Sequence, residues 1–220
     1  MAVSIDRQLE KCPLCTSGRT AGYHRDQRRE YRHCKDCGLV FVPARYFLSL
    51  QEEKACYDLH QNNPEDIHYR RFLNRLTQPL LQVLAPGARG LDFGSGPGST
   101  LSLMLAEAGY PTAIFDPFYA PNPAVWSDEY DFVTATEVVE HLHRPLSDLQ
   151  RLWTVLTPGG WLGIMTKRVL NQTAFTRWHY KSDPTHVTFF SEQSFCWLAR
   201  HWSAELSLIG TDVALLRKPQ

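Results

Sequence analysis

Leu91-Asp92-Phe93-Gly94-Ser95-Gly96-Pro97-Gly98-Ser99 decides how the rest of the chain is read. A short apolar run, residues 90–93, ends in three glycines, and residues 100–108 (TLSLMLAEA) continue as a helix closed by Gly109. Glycine lets the backbone take φ > 0 and approach a ligand closely. Strand, glycine turn and helix in that order mark the crevice where open α/β sheets bind ligands. Working outward, residues 112–115 (TAIF), 130–136 (YDFVTAT) and 161–166 (WLGIMT) read as further buried strands. Helices are expected from about residue 137, over 147–156, and from a Ser191 cap to about 202. Residues 205–209 and 213–216 finish as two strands joined by Gly-Thr-Asp. This alternation predicts an α/β fold on a mainly parallel sheet, with one antiparallel strand added by the closing hairpin.

Upstream, the character changes. Residues 67–84 place apolar groups at 69, 72, 73, 76, 80, 81 and 84, close to a helical period, with Pro79 expected to kink or divide the run. Asn62-Asn63-Pro64 reads as a break before it. Residues 1–45 hold four of the six cysteines and nine Lys/Arg against five Asp/Glu. The chain therefore divides into a cysteine-rich segment (1–45), a helical cap or linker (46–86) and an α/β domain (87–220).

Composition bounds the rest. Of 220 residues, 43% are apolar and 21% charged, and 23 basic residues balance 23 acidic ones. That is the composition of a folded chain and excludes a chain-wide basic surface. No apolar run approaches the roughly 18 residues of a membrane span. Residues 1–11 (MAVSIDRQLEK) carry charges where a secretory leader needs an apolar centre, so a cytoplasmic protein is expected.

Two acids refine the loop. Asp92 immediately precedes it, where an anion repels a pyrophosphate and attracts a cationic ligand. Asp116 ends the next strand, 18 residues beyond Gly98, where a carboxylate accepts from both hydroxyls of a ribose. The glycine spacing is G-x-G-x-G, not the G-x-G-x-x-G/A of dinucleotide enzymes. A ribose with a positively charged tail fits S-adenosylmethionine (SAM) better than NAD.

LDFGSGPGS, the Asp after TAIF, YDFVTATEVVEHL and LTPGGWLGIMT, in that order, resemble a class I SAM-dependent methyltransferase over residues 87–220. The resemblance implies a Rossmann-like seven-stranded sheet with the last strand antiparallel. It places Phe93, Gly94, Gly96 and Gly98 along the cofactor loop and Asp92 near the methionine amino group. Asp116 would hold the ribose, and Thr136 and Glu137 would lie beside the methionine part. The departure is the 13-residue stretch between Asp116 and Tyr130, with three prolines, where the family fits a helix, a third strand and an acid near adenine.

Cys12-x-x-Cys15 and Cys34-x-x-Cys37, 18 residues apart, match the four-thiolate zinc template and resemble a zinc ribbon. Such a closed site is structural, because no coordination position remains for substrate. Neither pair has the strand-then-helix setting of a redox dithiol. Arg25, Arg28, Arg29, Arg32 and Lys35 are either a solvated face or a contact for RNA or an acidic carrier.

Glu137-x-x-Glu140-His141 is similar to a pattern of ubiquinone-pathway O-methyltransferases, where it accompanies a divalent ion near the acceptor. Asp183-x-x-His186-Val187-x-Phe189 resembles a segment of the same group. His141 and His186 are the candidate general bases, against the alternative that they brace the pocket. Tyr57, His60 and Tyr69 are further candidates to face it, and residues 178–180 a candidate lid. The reading is a SAM-dependent methyltransferase acting on a small-molecule or carrier-bound acceptor, with O-methylation favoured. Its rivals are an RNA methyltransferase guided by the ribbon and a non-enzymatic adaptor.

Overall fold

The structure, a computed structural model, describes residues 10–59 and 62–220, so His60 lies outside the described residues. The chain opens with β1 (Thr20–Arg25), β2 (Glu30–Cys34) and β3 (Val40–Phe41), an antiparallel meander carrying both cysteine pairs at its end. Helices α1 (Leu50–Tyr57) and α2 (Ile67–Leu81) follow. The alternating part runs β4 (Gly90–Phe93), α3 (Thr100–Glu107), β5 (Thr112–Phe115), β6 (Tyr130–Thr136), α4 (Pro145–Thr154) and β7 (Leu156–Met165). It ends with α5 (Gln172–Thr176), β8 (Thr188–Phe189), α6 (Glu192–Trp202), β9 (Glu205–Ile209) and β10 (Val213–Arg217).

The main sheet has the order β5-β4-β6-β7-β10-β9. The first four strands are mutually parallel, and β10 runs antiparallel to both β7 and β9. Among the described residues six strands stand where seven were expected. Residues 117–129 carry Pro117, Pro121 and Pro123, and a proline cannot donate to a strand ladder. The segment instead forms a tight loop, closed by an Asp116–Ala120 bridge, and a 3-10 turn over Pro123–Ser127.

A second expectation is also corrected. No α-helix begins at Glu137, and only a 3-10 turn, Val139–His141, precedes α4. Glu137 has φ +52°, and its N–H is fixed on the Met165 carbonyl at 2.8 Å. That left-handed step breaks helical continuation, so the helix expected from about residue 137 does not carry Glu137, Glu140 and His141.

Helices cover both faces of the sheet, as side-chain alternation along the strands requires. On one face, Leu73, Leu76 and Leu80 of α2 pack with Leu101 and Leu105 of α3 on Phe132, Met165, Val213 and Leu215. Pro79 is accommodated inside α2, close to its C-terminus. On the other face, Leu149 and Trp153 of α4 and Leu198 and Trp202 of α6 cover Leu91, Val133, Leu162 and Ile164. Cys12, Leu14, Cys34 and Cys37 belong to this same cluster, together with Phe190 and Phe195. The N-terminal meander is thus packed into the domain, and β8 extends its sheet by pairing with β3.

Leu76 is fully buried between α2 and the sheet. Leu76→Ala should cost about 2–5 kcal/mol of stability by loss of burial and cavity formation. A urea-melt midpoint within error of wild type would show that α2 is not docked as described.

Candidate active site

The glycine loop lies where β4 hands over to α3. Gly94 sits at φ +73°, and a β-carbon there would come within 2.4 Å of Val138. At Gly98 a β-carbon would meet the Asn62 carbonyl at 2.1 Å, so the approach to α2 closes over the loop. Asp116 is anchored beside it. Its Oδ2 accepts from the Gly96 N–H at 3.0 Å, and its Oδ1 accepts from the N–H groups of Phe118 (2.8 Å) and Tyr119 (3.0 Å). One carboxylate therefore ties the loop after β4 to the loop after β5.

Asp92 is buried in the centre of the sheet, and its Oδ1 accepts from the Thr134 hydroxyl at 2.8 Å. Burial pushes its carboxyl up to about 7, against the Thr134 hydrogen bond and with help from the Asp116 charge. Thr136 ends β6 with its hydroxyl buried and unpaired among the described residues. Glu137 follows, pushed up to about 7 by burial and partly offset by Lys167. Its Oε1 has no hydrogen-bond partner among the described residues. Its positive φ is a strained conformation for a side chain with a β-carbon, costing on the order of 1–3 kcal/mol, and it sits in the crevice. Tyr69 of α2 senses the charges of both Asp92 and Glu137, after burial, and titrates at about 12.

Beyond Glu137 lies a second polar cluster. Tyr180 donates its hydroxyl to Glu140, with Glu137 Oε2 at 3.4 Å and the Thr166 hydroxyl at 3.2 Å from the same oxygen. Glu140 is fully buried, which pushes it up to about 8, with the Glu137 charge adding to the effect. His186 Nδ1 lies 2.7 Å from the Tyr180 carbonyl. A carbonyl only accepts, so Nδ1 carries the proton and Nε2 is the basic nitrogen, 3.8 Å from Asp183 Oδ2. The His141 ring meets the His186 ring edge to face at 4.6 Å and the Tyr57 ring at 5.3 Å. Glu140, His141 and His186 each offer a ligand atom within 4.8 Å of the others; Glu137 is outside that group.

Helix α1 straps the two halves together. Its Glu53 carboxylate lies 2.7 Å from His143 Nε2, next to the histidine turn. At its other end Tyr119 donates to Asp58 at 2.7 Å, and Tyr57 packs on Phe118. Sequence reasoning placed the loop, the two acids and the histidines together in one crevice. It missed Tyr180 as the bridge between two glutamates, a contact 40 residues apart that no local pattern signals.

In the N-terminal segment, Cys12 and Cys37 sulfurs lie 3.5 Å apart and Cys15 and Cys34 sulfurs 3.4 Å apart, with all four within 4.8 Å. Tetrahedral zinc with bonds of about 2.3 Å spaces its sulfurs about 3.8 Å apart, so the cluster is compatible with a structural zinc. His24 and His33 are outside it. Of the neighbouring basic residues, Arg29 is buried and Arg32 half-buried, while Arg25, Arg28 and Lys35 are exposed. Arg25 pairs with Glu30 at 3.3 Å, Arg32 donates to Thr20, and Arg28 and Arg29 donate to carbonyls between residues 181 and 184.

Residues 66–204 match the model of a family described as a methyltransferase domain. No curated protein sequence matches the chain. Among solved structures the chain is similar to the Burkholderia thailandensis 1,6-didemethyltoxoflavin-N1-methyltransferase, crystallised with 1,6-didemethyltoxoflavin and S-adenosylhomocysteine. The identity is 16%, covering 90% of this chain and 99% of that one, at TM-score 0.54. A SAM-dependent methyltransferase from Archaeoglobus fulgidus is similar at 12% identity, over 68% of this chain and 94% of that one, at TM-score 0.51. At these identities the likeness is one of fold.

Asp92, Glu137 and Glu140 all hold their protons more tightly when folded than their ordinary values of 3.8, 4.5 and 4.5. The native state therefore binds more protons than the unfolded chain between about pH 4 and 8, and stability falls as pH rises through that window. Urea melts of ligand-free protein from pH 4.5 to 8 should show the decline, and Asp92→Asn should flatten it. A slope unchanged in the variant would mean that Asp92 is not buried as a carboxyl.

Proposed function

The chain belongs to the methyltransferase-domain family of SAM-dependent enzymes, and on that premise we propose that it methylates a hydroxyl of a small-molecule or carrier-bound acceptor. The observation that carries this reading is one polar cluster, Glu137, Glu140, Tyr180, His141 and His186, joined to the glycine loop where Val138 meets Gly94.

Bound SAM supplies an already activated methyl group, which leaves the protein the tasks of alignment and proton removal. Asp116 and the N–H groups it orders would receive the ribose hydroxyls. Asp92, Thr136, Glu137 and Tyr69 would line the methionine part, the carboxyls facing its positive charge. His186, with Nδ1 committed to the Tyr180 carbonyl, presents Nε2 as the base for an acceptor hydroxyl, and His141 borders the same space. Asp183 would stabilise the imidazolium that forms. Its own carboxyl is raised by burial, but hydrogen bonds from Thr185 outweigh this and keep it below the usual range.

A second reading of the same cluster is favoured by one observation. Two imidazoles and a carboxylate within 4.8 Å form a donor set for a divalent cation. There a metal would lower the acceptor's pKa in place of a protein base. Turnover abolished by a chelator and restored by Mn²⁺, Zn²⁺ or Mg²⁺, with the four-cysteine site still loaded, would select it.

Titration calorimetry of SAM and S-adenosylhomocysteine into zinc-loaded protein is the decisive test. Micromolar binding is expected, with Asp116→Ala weakening both by about tenfold or more, since a lost hydrogen bond to a charged group is worth about 1.5–3 kcal/mol. Between pH 6 and 8, SAM affinity should rise relative to that of the product, because only SAM carries the sulfonium charge that ionised Asp92 and Glu137 attract. No binding of either ligand to folded protein would sink the enzymatic reading in favour of an adaptor. Metal analysis should find about one zinc per chain, as four thiolates of this geometry require; a metal-free folded protein would refute a structural zinc.

A further inference from the structure

We propose that Arg29, in the cysteine-rich segment, is a positioning residue for the acceptor side of the active site. Through it, the cysteine-rich segment sets the geometry of the loop that carries His186. The proposal rests on the assignment of His186 to the acceptor side made above.

Arg29 is buried, with 7% of its surface exposed. A buried guanidinium ordinarily faces a carboxylate, because an unpaired charge is costly away from water. Arg29 instead spends its fork on backbone. Nη1 donates to the Pro184 carbonyl at 3.0 Å, and Nη2 to the carbonyls of Lys181 and Asp183, both at 2.7 Å. Nε donates to the Tyr31 hydroxyl at 2.9 Å, and that hydroxyl donates to Asp26 at 2.9 Å. Three carbonyls from four consecutive residues converge on one cation only if residues 181–184 curl around it. The curl is bracketed by two members of the acceptor cluster, Tyr180 before it and His186 just after it, whose rings meet at 4.3 Å.

The far end of the loop is held from the same direction. The Val42 N–H, at the end of β3, donates to the Val187 carbonyl at 2.8 Å, and the Val187 N–H donates to the Glu140 carbonyl at 2.8 Å. Val187 is thus a one-residue link between the cysteine-rich sheet and the turn bearing Glu140 and His141. The Val40–Phe189 and Phe41–Thr188 pairs continue that link. The loop has bonds of its own, the Thr185 N–H on Asp183 Oδ1 at 2.9 Å and the His186 N–H on the Asp183 carbonyl at 3.3 Å, while the carbonyls of Lys181 and Pro184 take donors from outside it. Lysine has the charge but not the planar fork, and cannot serve three carbonyls and a phenol together.

The test compares full-length, zinc-loaded wild type with Arg29→Lys. Three quantities are read: S-adenosylhomocysteine affinity, hydrogen exchange over residues 181–188, and the imidazole ¹⁵N–¹H signal of His186, assigned with His186→Gln. R29K should keep its zinc and bind S-adenosylhomocysteine within about twofold of wild type. Loop exchange should accelerate by about tenfold or more, as expected where local opening becomes easier, and the His186 signal should move. With an acceptor in hand, kcat should fall while KM for SAM holds. Unchanged exchange and an unchanged imidazole signal in R29K overturn the proposal alone. Wild type that binds no S-adenosylhomocysteine overturns the underlying reading, and the proposal with it, before any variant is made. Should R29K fail to fold, Tyr31→Phe removes the hydroxyl that orients Nε. The same shifts, smaller in size, are then expected, and their absence overturns the proposal.

Discussion

Three carboxyl groups taken out of water at the carboxyl ends of β4 and β6 set the terms for this molecule. Asp92, Glu137 and Glu140 are each displaced upward by burial, and the hydrogen bonds they receive do not compensate. A core selected for stability alone would replace them, since buried charge is expensive and apolar substitutes pack as well. Their presence makes sense where a cation completes the site. The fold meets the cost around them: Thr134 serves Asp92, Tyr180 serves Glu140, and the Met165 carbonyl holds the Glu137 backbone in its left-handed conformation. Strain and unpaired oxygens thus concentrate at one crevice, where binding has something to relieve.

The cysteine-rich segment is tied to that crevice by more than a linker. Its core is continuous with the helices on one sheet face, its sheet gains β8, and Arg29 gathers the carbonyls ahead of His186. A small segment of this kind has too little apolar surface to stand alone, and a metal held by the four thiolates would supply what the core lacks. Arg29 and Arg32 spend their donors inside the chain, on residues 181–184 and Thr20, while Arg25 and Arg28 stay at the surface.

Local pattern was a good guide where local chemistry decides. The glycine loop, the acid after β5, the Ser191 cap and the cysteine spacing each depend on a few adjacent residues, and each is in the structure. The family resemblance misled over residues 117–129, and local pattern over 137–141. In the first, three prolines exclude a strand, and the sheet closes without it. In the second, a helical spacing of Glu137, Glu140 and His141 was overridden by a backbone step fixed on a neighbouring strand.

Amino-acid order by itself determined the α/β class, the crevice at the first strand-to-helix turn and the clustering of four thiols. These follow from periodicity, from backbone freedom and from ligand spacing, all properties of contiguous chain. Only the tertiary structure decided which side chains share that crevice: Tyr180 between two glutamates and His141 against His186, with Arg29 on the carbonyls ahead of His186. Those partners are brought together from tens to more than a hundred residues apart by burial of common apolar faces, and no short-range rule encodes which distant polar groups will meet there.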